Sequence, residues 1–404
     1  MRILQINSTV NWGSTGKIAD GIGLEIQKRN WESYIAYGRT GNQSKSNLIK
    51  IGNKKDVYLH ILKSRIFDGH GLGSKNATIE LIEEIERINP DLIHIHNIHG
   101  YYLNYSVLFD FFNNNKVPVV WTLHDCWSFT GHCAYFDTVN CTKWESHCKN
   151  CVQIKSYPRS LVDNSRRNYE LKLFYFSSIK DRLHLVPVSK WLSDLLEKSF
   201  FKDFKRTLIY NGVDLKLFQP SYDVNLFQQD YMRSKRKLIL GIASVWDKRK
   251  GLDDFIQLSS IISSDYEIVL IGLSSKQIKR LPPNIRGIER TQNVNELVEL
   301  YRQALVLVNP TWEDNFPTVN LEALACGTPV ITYRTGGSPE AIDENTGIIV
   351  EKGDVQGLKN AIETIAISTD KYTVEQCRQR AERFFGREDR FREYISLYEE
   401  LLKK

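Results

Sequence analysis

No apolar run in this 404-residue chain approaches the roughly 18–20 residues that a helix needs to cross a bilayer. The opening Met1-Arg2-Ile3-Leu4-Gln5-Ile6 also lacks the apolar core and small-residue cleavage site of a secretory leader, so residence in the cytoplasm is expected. Charge of one sign is equally scarce: 54 basic residues against 48 acidic ones leave a formal +6. That excess is far below what a dedicated nucleic-acid binder carries, so nucleic acid is not an expected partner. Anionic small molecules or an acidic membrane surface suit it better. Heptad arrays, fixed-period repeats and low-complexity tracts are missing too, which argues against coiled coils and solenoids. Cysteines are few and odd in number, seven, and without a leader they do not read as a secreted disulfide framework.

What is present is a 42% hydrophobic composition, enough for a large core, over a length that suggests two domains at roughly 100–200 residues each. Short β-rich apolar runs alternate with longer amphipathic stretches, the pattern of βα units and parallel sheets. Strands are predicted at 2–7, 33–38, 92–97, 118–124, 183–189 and 207–213, and again at 237–245, 267–272, 305–310, 329–334 and 346–350. The run Leu92-Ile93-His94-Ile95-His96 alternates strictly and is expected to be half-exposed; 117–121 reads as covered on both faces. An irregular polar stretch from 214 to 237 is the predicted linker, helices are predicted at 295–303 and 321–325, and the tail from about 375 is helical with a break at Gly386. Two doubly wound α/β domains follow, with ligands expected at the carboxyl ends of the strands, in a cleft between the domains.

Several segments at those strand ends carry chemistry. Asn11-Trp12-Gly13-Ser14-Thr15-Gly16-Lys17 is a glycine loop opening a helical pattern at Ile18, which suits an anion, although a plain turn explains it as well. Its glycine spacing matches neither a Walker A loop nor a dinucleotide fingerprint. Thr122-Leu123-His124-Asp125 places His124 at a sheet edge, either as a ligand's hydrogen-bond donor and proton carrier or as a structural histidine tied to Asp125. Cys133, Cys141, Cys148 and Cys151, spaced C-x7-C-x6-C-x2-C, suit a structural zinc or remain free, redox-labile thiols. Lys248, Arg249 and Lys250 before Gly251 form either a diphosphate clamp or a solvated charge run. In Pro310-Thr311-Trp312-Glu313-Asp314-Asn315-Phe316-Pro317-Thr318, a loop leads into a helix bearing Glu322, so two carboxylates seven residues apart can serve one hydroxyl-rich ligand.

Asp314-x7-Glu322 followed by Ala-Leu-Ala-Cys-Gly-Thr-Pro-Val-Ile resembles the acid-x7-acid signature of the family-4 retaining glycosyltransferases of GT-B fold. Lys250-Gly251, Asn211-Gly212-Val213-Asp214, Thr335-Gly336-Gly337 and the first glycine loop fall in the family's order, and the likeness runs over essentially the whole chain. The 122–133 segment with its later cysteines and Tyr157-Pro158 further resembles the colanic-acid-type branch, which builds bacterial surface polysaccharides. The resemblance implies two Rossmann-like domains facing a central cleft: residues 1–215 for the acceptor, with a cysteine-rich insertion at 126–158, and 222–385 for the donor. A helix at 386–404 would pack back on the first domain.

By the same resemblance, Glu322 holds the donor ribose and Asp314 the transferred sugar, and Lys250 neutralises the diphosphate, while backbone amides around Asn315, Phe316 and Thr318 hold phosphate and sugar. His124 stands against the sugar, and Gly13, Ser14, Thr15 and Gly16 face the diphosphate. Three positions depart from the family pattern. Asp314 replaces the usual Glu, with Glu313 beside it; Val245 replaces an arginine, leaving Lys248 or Arg249 as second cation; and Pro317, with no N–H, replaces a glycine. The donor is expected to be a UDP- or GDP-sugar and the acceptor a lipid-linked oligosaccharide of O-antigen, capsule or exopolysaccharide synthesis. No Asp-x-Asp motif marks a strand end, so no catalytic cofactor is expected beyond the optional zinc. Phe109, Phe111, Phe112, Trp191, Phe200 and Phe201, among lysines, are candidates for contact with the inner membrane face or for buried helix faces. A catalytically silent sugar-nucleotide-binding subunit and a nucleotide-sugar epimerase are the alternatives.

Overall fold

The computed structural model describes residues 1–221, 236–368 and 370–403, so most of the predicted linker lies outside the described residues. Two compact units emerge: Met1–Tyr210 with Glu388–Lys404, here the N-terminal domain, and Asn211–Arg387, the C-terminal domain.

The N-terminal sheet comprises β1 (Arg2–Asn7), β2 (Glu32–Tyr37), β3 (Asn47–Lys50), β4 (Leu92–Ile95), β5 (Val119–Leu123), β6 (Leu183–Pro187) and β7 (Lys205–Arg206). All pair in parallel in the order β3-β2-β1-β4-β5-β6-β7. The C-terminal sheet, β8 (Lys237–Ile242), β9 (Tyr266–Ile271), β10 (Ile285–Ile288), β11 (Val306–Asn309), β12 (Val330–Tyr333) and β13 (Gly347–Val350), repeats that winding as β10-β9-β8-β11-β12-β13. The order reverses between β1 and β4 and between β8 and β11, and a doubly wound sheet leaves its ligand crevice at such points. The short edge strands β3 and β10 carry too little apolar alternation to be read from sequence. No strand forms at 207–213, where Val213 instead makes an isolated bridge to Gly386.

The N-terminal helices are α1 (Gly13–Lys28), α2 (Lys54–Phe67), α3 (Lys75–Ile88), α4 (Tyr105–Asn114), α5 (Ser165–Ser177) and α6 (Lys190–Lys198). Those that follow are α7 (Leu252–Ile261), α8 (Ser275–Ile278), α9 (Val294–Gln303), α10 (Thr318–Ala325), α11 (Val355–Ile367), α12 (Val374–Phe385) and α13 (Arg387–Leu402). No described helix is long and apolar enough to cross a membrane. On one face of the N-terminal sheet, Ile93, Ile95, Val119 and Trp121 pack on the aromatic side chains Phe109, Phe112, Phe176 and Phe201. On the other, Ile3, Leu92, Val120 and Val186 meet α1 and the α13 residues Phe391, Tyr394, Ile395 and Tyr398. Gly21 makes that second contact geometrically available, because a Cβ there would lie 2.1 Å from the Phe391 ring.

The alternating strand β4 is not half-exposed as its pattern predicts. His94 and His96 are buried, and the closing element is α13, drawn from the far end of the chain. His94 Nε2 lies 2.7 Å from Thr122 Oγ1, whose hydroxyl donates to Tyr394 Oη at 3.2 Å. The Nε2 therefore carries the proton, and Nδ1 accepts from the Tyr398 hydroxyl at 2.6 Å. Each polar atom in this chain is paired, which is what lets a polar strand face be buried. Tyr398→Phe leaves His94 Nδ1 without its donor and is expected to cost about 1–3 kcal/mol. Urea unfolding with amide exchange along α13 checks this; an unchanged midpoint with undisturbed α13 protection contradicts it.

Candidate active site

In the C-terminal domain β8 and β11 are neighbours, so the segments leaving their carboxyl ends run side by side. Asp247 caps a one-turn 3-10 helix, Lys248–Lys250, accepting from the Lys250 N–H at 3.1 Å. Gly251 follows at φ +75°, where a Cβ would lie 2.2 Å from the Pro310 carbonyl. Only glycine lets the basic turn press this closely on the β11 exit. Across that contact Arg249 Nη1 donates to Glu313 O at 2.8 Å, and Arg249 O accepts from the Trp312 N–H at 2.7 Å. Lys250 Nζ pairs with Asp314 Oδ2, both side chains largely buried. The three cations are thus divided: Lys250 meets the carboxylate, Arg249 anchors the loop backbone, and Lys248 stands in solvent.

The structure also distinguishes the adjacent acids, which sequence alone does not. Glu313 is buried within the loop, whereas Asp314 keeps some exposure beside Lys250. Gly336, at φ +56°, backs the loop so closely that a Cβ would lie 1.8 Å from Asp314 O. Asn315 and Phe316 are buried, the Asn315 N–H donates to Asp314 Oδ1 at 3.0 Å, and Phe316 O accepts from Asn211 Nδ2 at 3.1 Å. Helix α10 starts after Pro317 with no side-chain cap, so the N–H groups of Thr318 and its neighbours keep the partial positive charge of a helix start. One turn along, Glu322 Oε2 accepts from the Tyr301 hydroxyl at 2.8 Å. A buried relay holds α10 on the sheet: Asn309 Nδ2 to Asn320 Oδ1 at 2.9 Å, Asn320 Nδ2 to Ser338 Oγ at 3.0 Å, and Ser338 Oγ to Thr332 Oγ1 at 2.6 Å.

In the N-terminal domain the glycine loop is the first turn of α1, which begins at Gly13 rather than Ile18. Trp12 gives no side-chain cap, and Gly13 (φ +64°) and Ser14 are exposed. A Cβ on buried Gly16 would lie 2.7 Å from Thr9 Oγ1, so this glycine serves close packing. His124, just past β5, is not tied to Asp125. The Asp125 carboxylate instead meets His99 Nε2 at 2.9 Å and the Trp127 N–H at 2.9 Å. His124 Nε2 meets His96 Nδ1 at 3.3 Å, and His96 Nε2 meets Gln5 Oε1 at 3.1 Å. Gln5 Nε2 donates to Ala19 O at 2.8 Å, which sets the amide's orientation. Its Oε1 must then accept from His96 Nε2–H. Burial holds His96 well below its ordinary pKa, so its Nδ1 is unprotonated and accepts from His124 Nε2–H. Burial likewise lowers His124 to about 4, more than offsetting the attraction of Asp125. His124 is therefore neutral near pH 7 with its lone pair on Nδ1: toward a ligand it is an acceptor, not the donor its position suggests.

The glycosyl transferases group 1 profile matches residues 236–367, and the Glycosyltransferase Family 4 profile matches 20–217. WcaC of Escherichia coli (strain K12), named for glycosyl transfer in colanic acid biosynthesis, is 25% identical over 99% of this chain and 100% of its own length. This chain belongs to the family-4 glycosyltransferases. The O-antigen chain mannosyltransferase RfbU of Salmonella typhimurium is 24% identical over 52% of this chain and 57% of its own length. Among solved structures, the sucrose-phosphate synthase of Thermosynechococcus elongatus aligns with TM-score 0.74 at 19% identity, covering 100% of this chain and 99% of that one. Anabaena HepE in complex with UDP-glucose aligns at 0.68 and 15% identity, covering 99% and 100%. Both share the GT-B fold with this glycosyltransferase.

One expectation about the glycosyltransferase needs correction. Phe109, Phe112 and Phe201 are core residues, with Phe111, Trp191 and Phe200 packed against them, so these aromatics present no membrane surface. Among the described residues no three His, Cys, Asp or Glu side chains are grouped as a metal site, while Cys148 lies close enough to Cys133, Cys141 and Cys151 for their charges to interact. Cys133 and Cys151 share a hydrogen bond that pulls the Cys151 thiol below its ordinary pKa and pushes Cys133 up, while Cys148 Sγ accepts from the Gly131 N–H at 3.2 Å. The segment is stapled by aromatic packing of Phe129, Phe136 and Trp144, and by Asp68, which reaches His132 Nδ1 at 2.6 Å and the Asn164 N–H at 3.0 Å.

Sequence reasoning missed Gln5, His96 and Tyr301. Gln5 and His96 each carried a signal as polar residues at regular positions inside apolar strands, and Tyr301 lay in the apolar stripe of α9. In histidine-labelled protein, nitrogen-detected NMR should place the His124 proton on Nε2 and keep the ring neutral from pH 8 down to about 5; a proton on Nδ1 contradicts the relay. Burial holds His60 at about 3, His124 at about 4, and His70, His94 and His96 well below the ordinary value. The unfolded chain binds more protons below about pH 6.5, so stability is lost as pH falls from there. Calorimetry at pH 7.5 and 5 should show a lower N-terminal-domain midpoint at pH 5, and equal midpoints contradict it.

Proposed function

We propose that this glycosyltransferase moves a hexose, with retention, from a UDP- or GDP-sugar to a lipid-linked oligosaccharide during surface-polysaccharide synthesis. The supporting observation is the pairing of Lys250 with Asp314 at one strand exit of the C-terminal domain, with the uncapped start of α10 and Glu322 following directly. An ammonium and helix N–H groups suit a diphosphate leaving group. Carboxylates suit hydroxyls, accepting at two oxygens: Asp314 those of the sugar, and Glu322, whose Oε2 accepts from Tyr301, those of the ribose. His124 Nδ1 would accept a further sugar hydroxyl.

In the proposed step, the bond from the anomeric carbon to the departing phosphate oxygen breaks while the acceptor oxygen attacks on the same face. The acceptor proton passes to the leaving phosphate oxygen, and charge developing on the diphosphate is met by Lys250. The acceptor would be drawn from the inner face of the cytoplasmic membrane; relatives named for capsular polysaccharide and O-antigen chain synthesis support a surface-polysaccharide product.

A panel of nucleotide sugars tests the donor. At about a hundredfold excess over Kd, a matching donor should raise the unfolding midpoint by about 5–10 °C. Glu322→Ala should keep the unliganded fold and lose that rise. An equal rise in the variant, or an inverted product linkage with the matched donor, refutes the assignment.

A further inference from the structure

The cysteine-rich insertion ends by returning one side chain to the strand exits. Tyr157 places its hydroxyl 3.2 Å from His99 Nδ1, in the segment leaving β4, and its ring 6.2 Å from that of Tyr101. His99 Nε2 meets the Asp125 carboxylate at 2.9 Å, so residues from three segments form one line. Strands β4 and β5 are neighbours, and their carboxyl ends are where a doubly wound domain receives a ligand. Around Tyr157 the chain is tied down: Gln153 Nε2 donates to Tyr135 O at 2.8 Å, and the Ser160 N–H donates to Ile154 O at 2.9 Å.

The line fixes the protons along it. Burial alone would raise Asp125, but His99 and the Trp127 N–H outweigh it and hold the carboxyl below its ordinary value. An ionised Asp125 requires the proton on His99 Nε2. In the neutral imidazole, Nδ1 then carries the lone pair and accepts from the Tyr157 hydroxyl. Burial, with Tyr101 and Asp125 close by, raises the Tyr157 pKa, so the phenol keeps its proton and directs it to His99. Lone pairs are what remain on Oη. Tyr157 is therefore an acceptor toward a ligand, as His124 Nδ1 is one residue before Asp125.

Anchored in this way, Tyr157 still stands 48% exposed, and Tyr101 beside it keeps some exposure. Tyr101 holds φ +68°, in the left-handed region that bulky side chains rarely adopt. Backbone strain of this kind persists only where its surroundings impose it, and it gathers at ligand sites. The His70 ring lies 4.8 Å from Tyr101 and 5.5 Å from Tyr157. His70 is buried, and neither of its nitrogens has a hydrogen-bond partner among the described residues. Burial holds it well below its ordinary pKa, so the neutral ring offers one donor and one acceptor.

Charge and surface select the ligand. The ionised Asp125 at the base of the line disfavours a phosphate. Aromatic rings suit the C–H faces of a pyranose, and fixed acceptors suit its hydroxyls. We propose that Tyr157 and Tyr101, backed by His99, Asp125 and His70, bind the terminal sugar of the acceptor, and that the cysteine-rich insertion serves to carry Tyr157 there. This deepens the transferase reading, on which it rests, by naming the side chains that receive the acceptor's saccharide.

The probes are the methyl glycosides of glucose, galactose, mannose and N-acetylglucosamine, presented at millimolar concentration to the full chain in saturation-transfer NMR. At least one should take up saturation at its ring C–H protons. Tyr157→Ala should weaken that glycoside about tenfold, and Tyr157→Phe, which keeps the ring, about threefold, with far-ultraviolet circular dichroism unchanged. Glycosides that all take up nothing from the wild-type protein would overturn the proposal. So would Tyr157→Ala protein that binds as tightly as wild type. The donor-induced rise in the wild-type unfolding midpoint, read in parallel, separates the two readings. If the rise is present and the glycosides fail, the saccharide site falls alone. If the rise is absent while a glycoside binds through Tyr157, the transferase assignment falls and the saccharide site stands.

Discussion

Burial permits the His96 imidazole a single proton, and where that proton sits orders the polar interior of the N-terminal domain. The Ala19 carbonyl orients Gln5, Gln5 claims the His96 proton, and His96 in turn claims the proton of His124. The direction of donation is set two residues away from the one that would meet a ligand. On the same sheet face the chain from Tyr398 through His94 to Thr122 and Tyr394 obeys the same rule. Removing any member strands a buried polar atom, so the α13 tyrosines are as much part of the strand ends as the strands themselves.

The C-terminal domain meets a steric constraint where the N-terminal one meets a protonic one. Glycines at 251 and 336 allow two backbone segments to approach carbonyls that any side chain would collide with. Those approaches bring Lys250 to Asp314 and hold the Asp314 carbonyl from behind. Arg249 ties the same loop through the Glu313 carbonyl, so a cation that looks like a ligand group works as a strut. Tyr301 orients Glu322 in the same manner.

The N-terminal domain also shows that residue type does not decide which side faces water. The aromatics around Phe109 and Phe201 are core, although basic neighbours in the sequence make them look interfacial. Leu59 and Leu62 of α2 are exposed while its His60 is buried, held by the turn that follows the helix. The cysteine-rich segment gathers two thiols in one hydrogen bond and relies on rings and one aspartate for its shape.

Strand ends at β1, β4, β5, β8 and β11 were legible because parallel strands are apolar throughout and stop where glycine or polar residues begin. Edge strands β3 and β10 were not, since an edge needs little apolar content, and the 207–213 run only trails β7: the Thr207 and Ile209 N–H groups donate to Leu185 O and Pro187 O of β6 before Val213 turns to Gly386. The sequence by itself determined the two windings, the acid pair, the basic turn with its glycine and the family, all of which rest on local composition and spacing. Only the tertiary structure decided that Asp314 rather than Glu313 meets Lys250, that Arg249 is structural, and that His124 accepts. Each of those outcomes depends on which neighbour, far along the chain, occupies the single proton, carbonyl or cavity available.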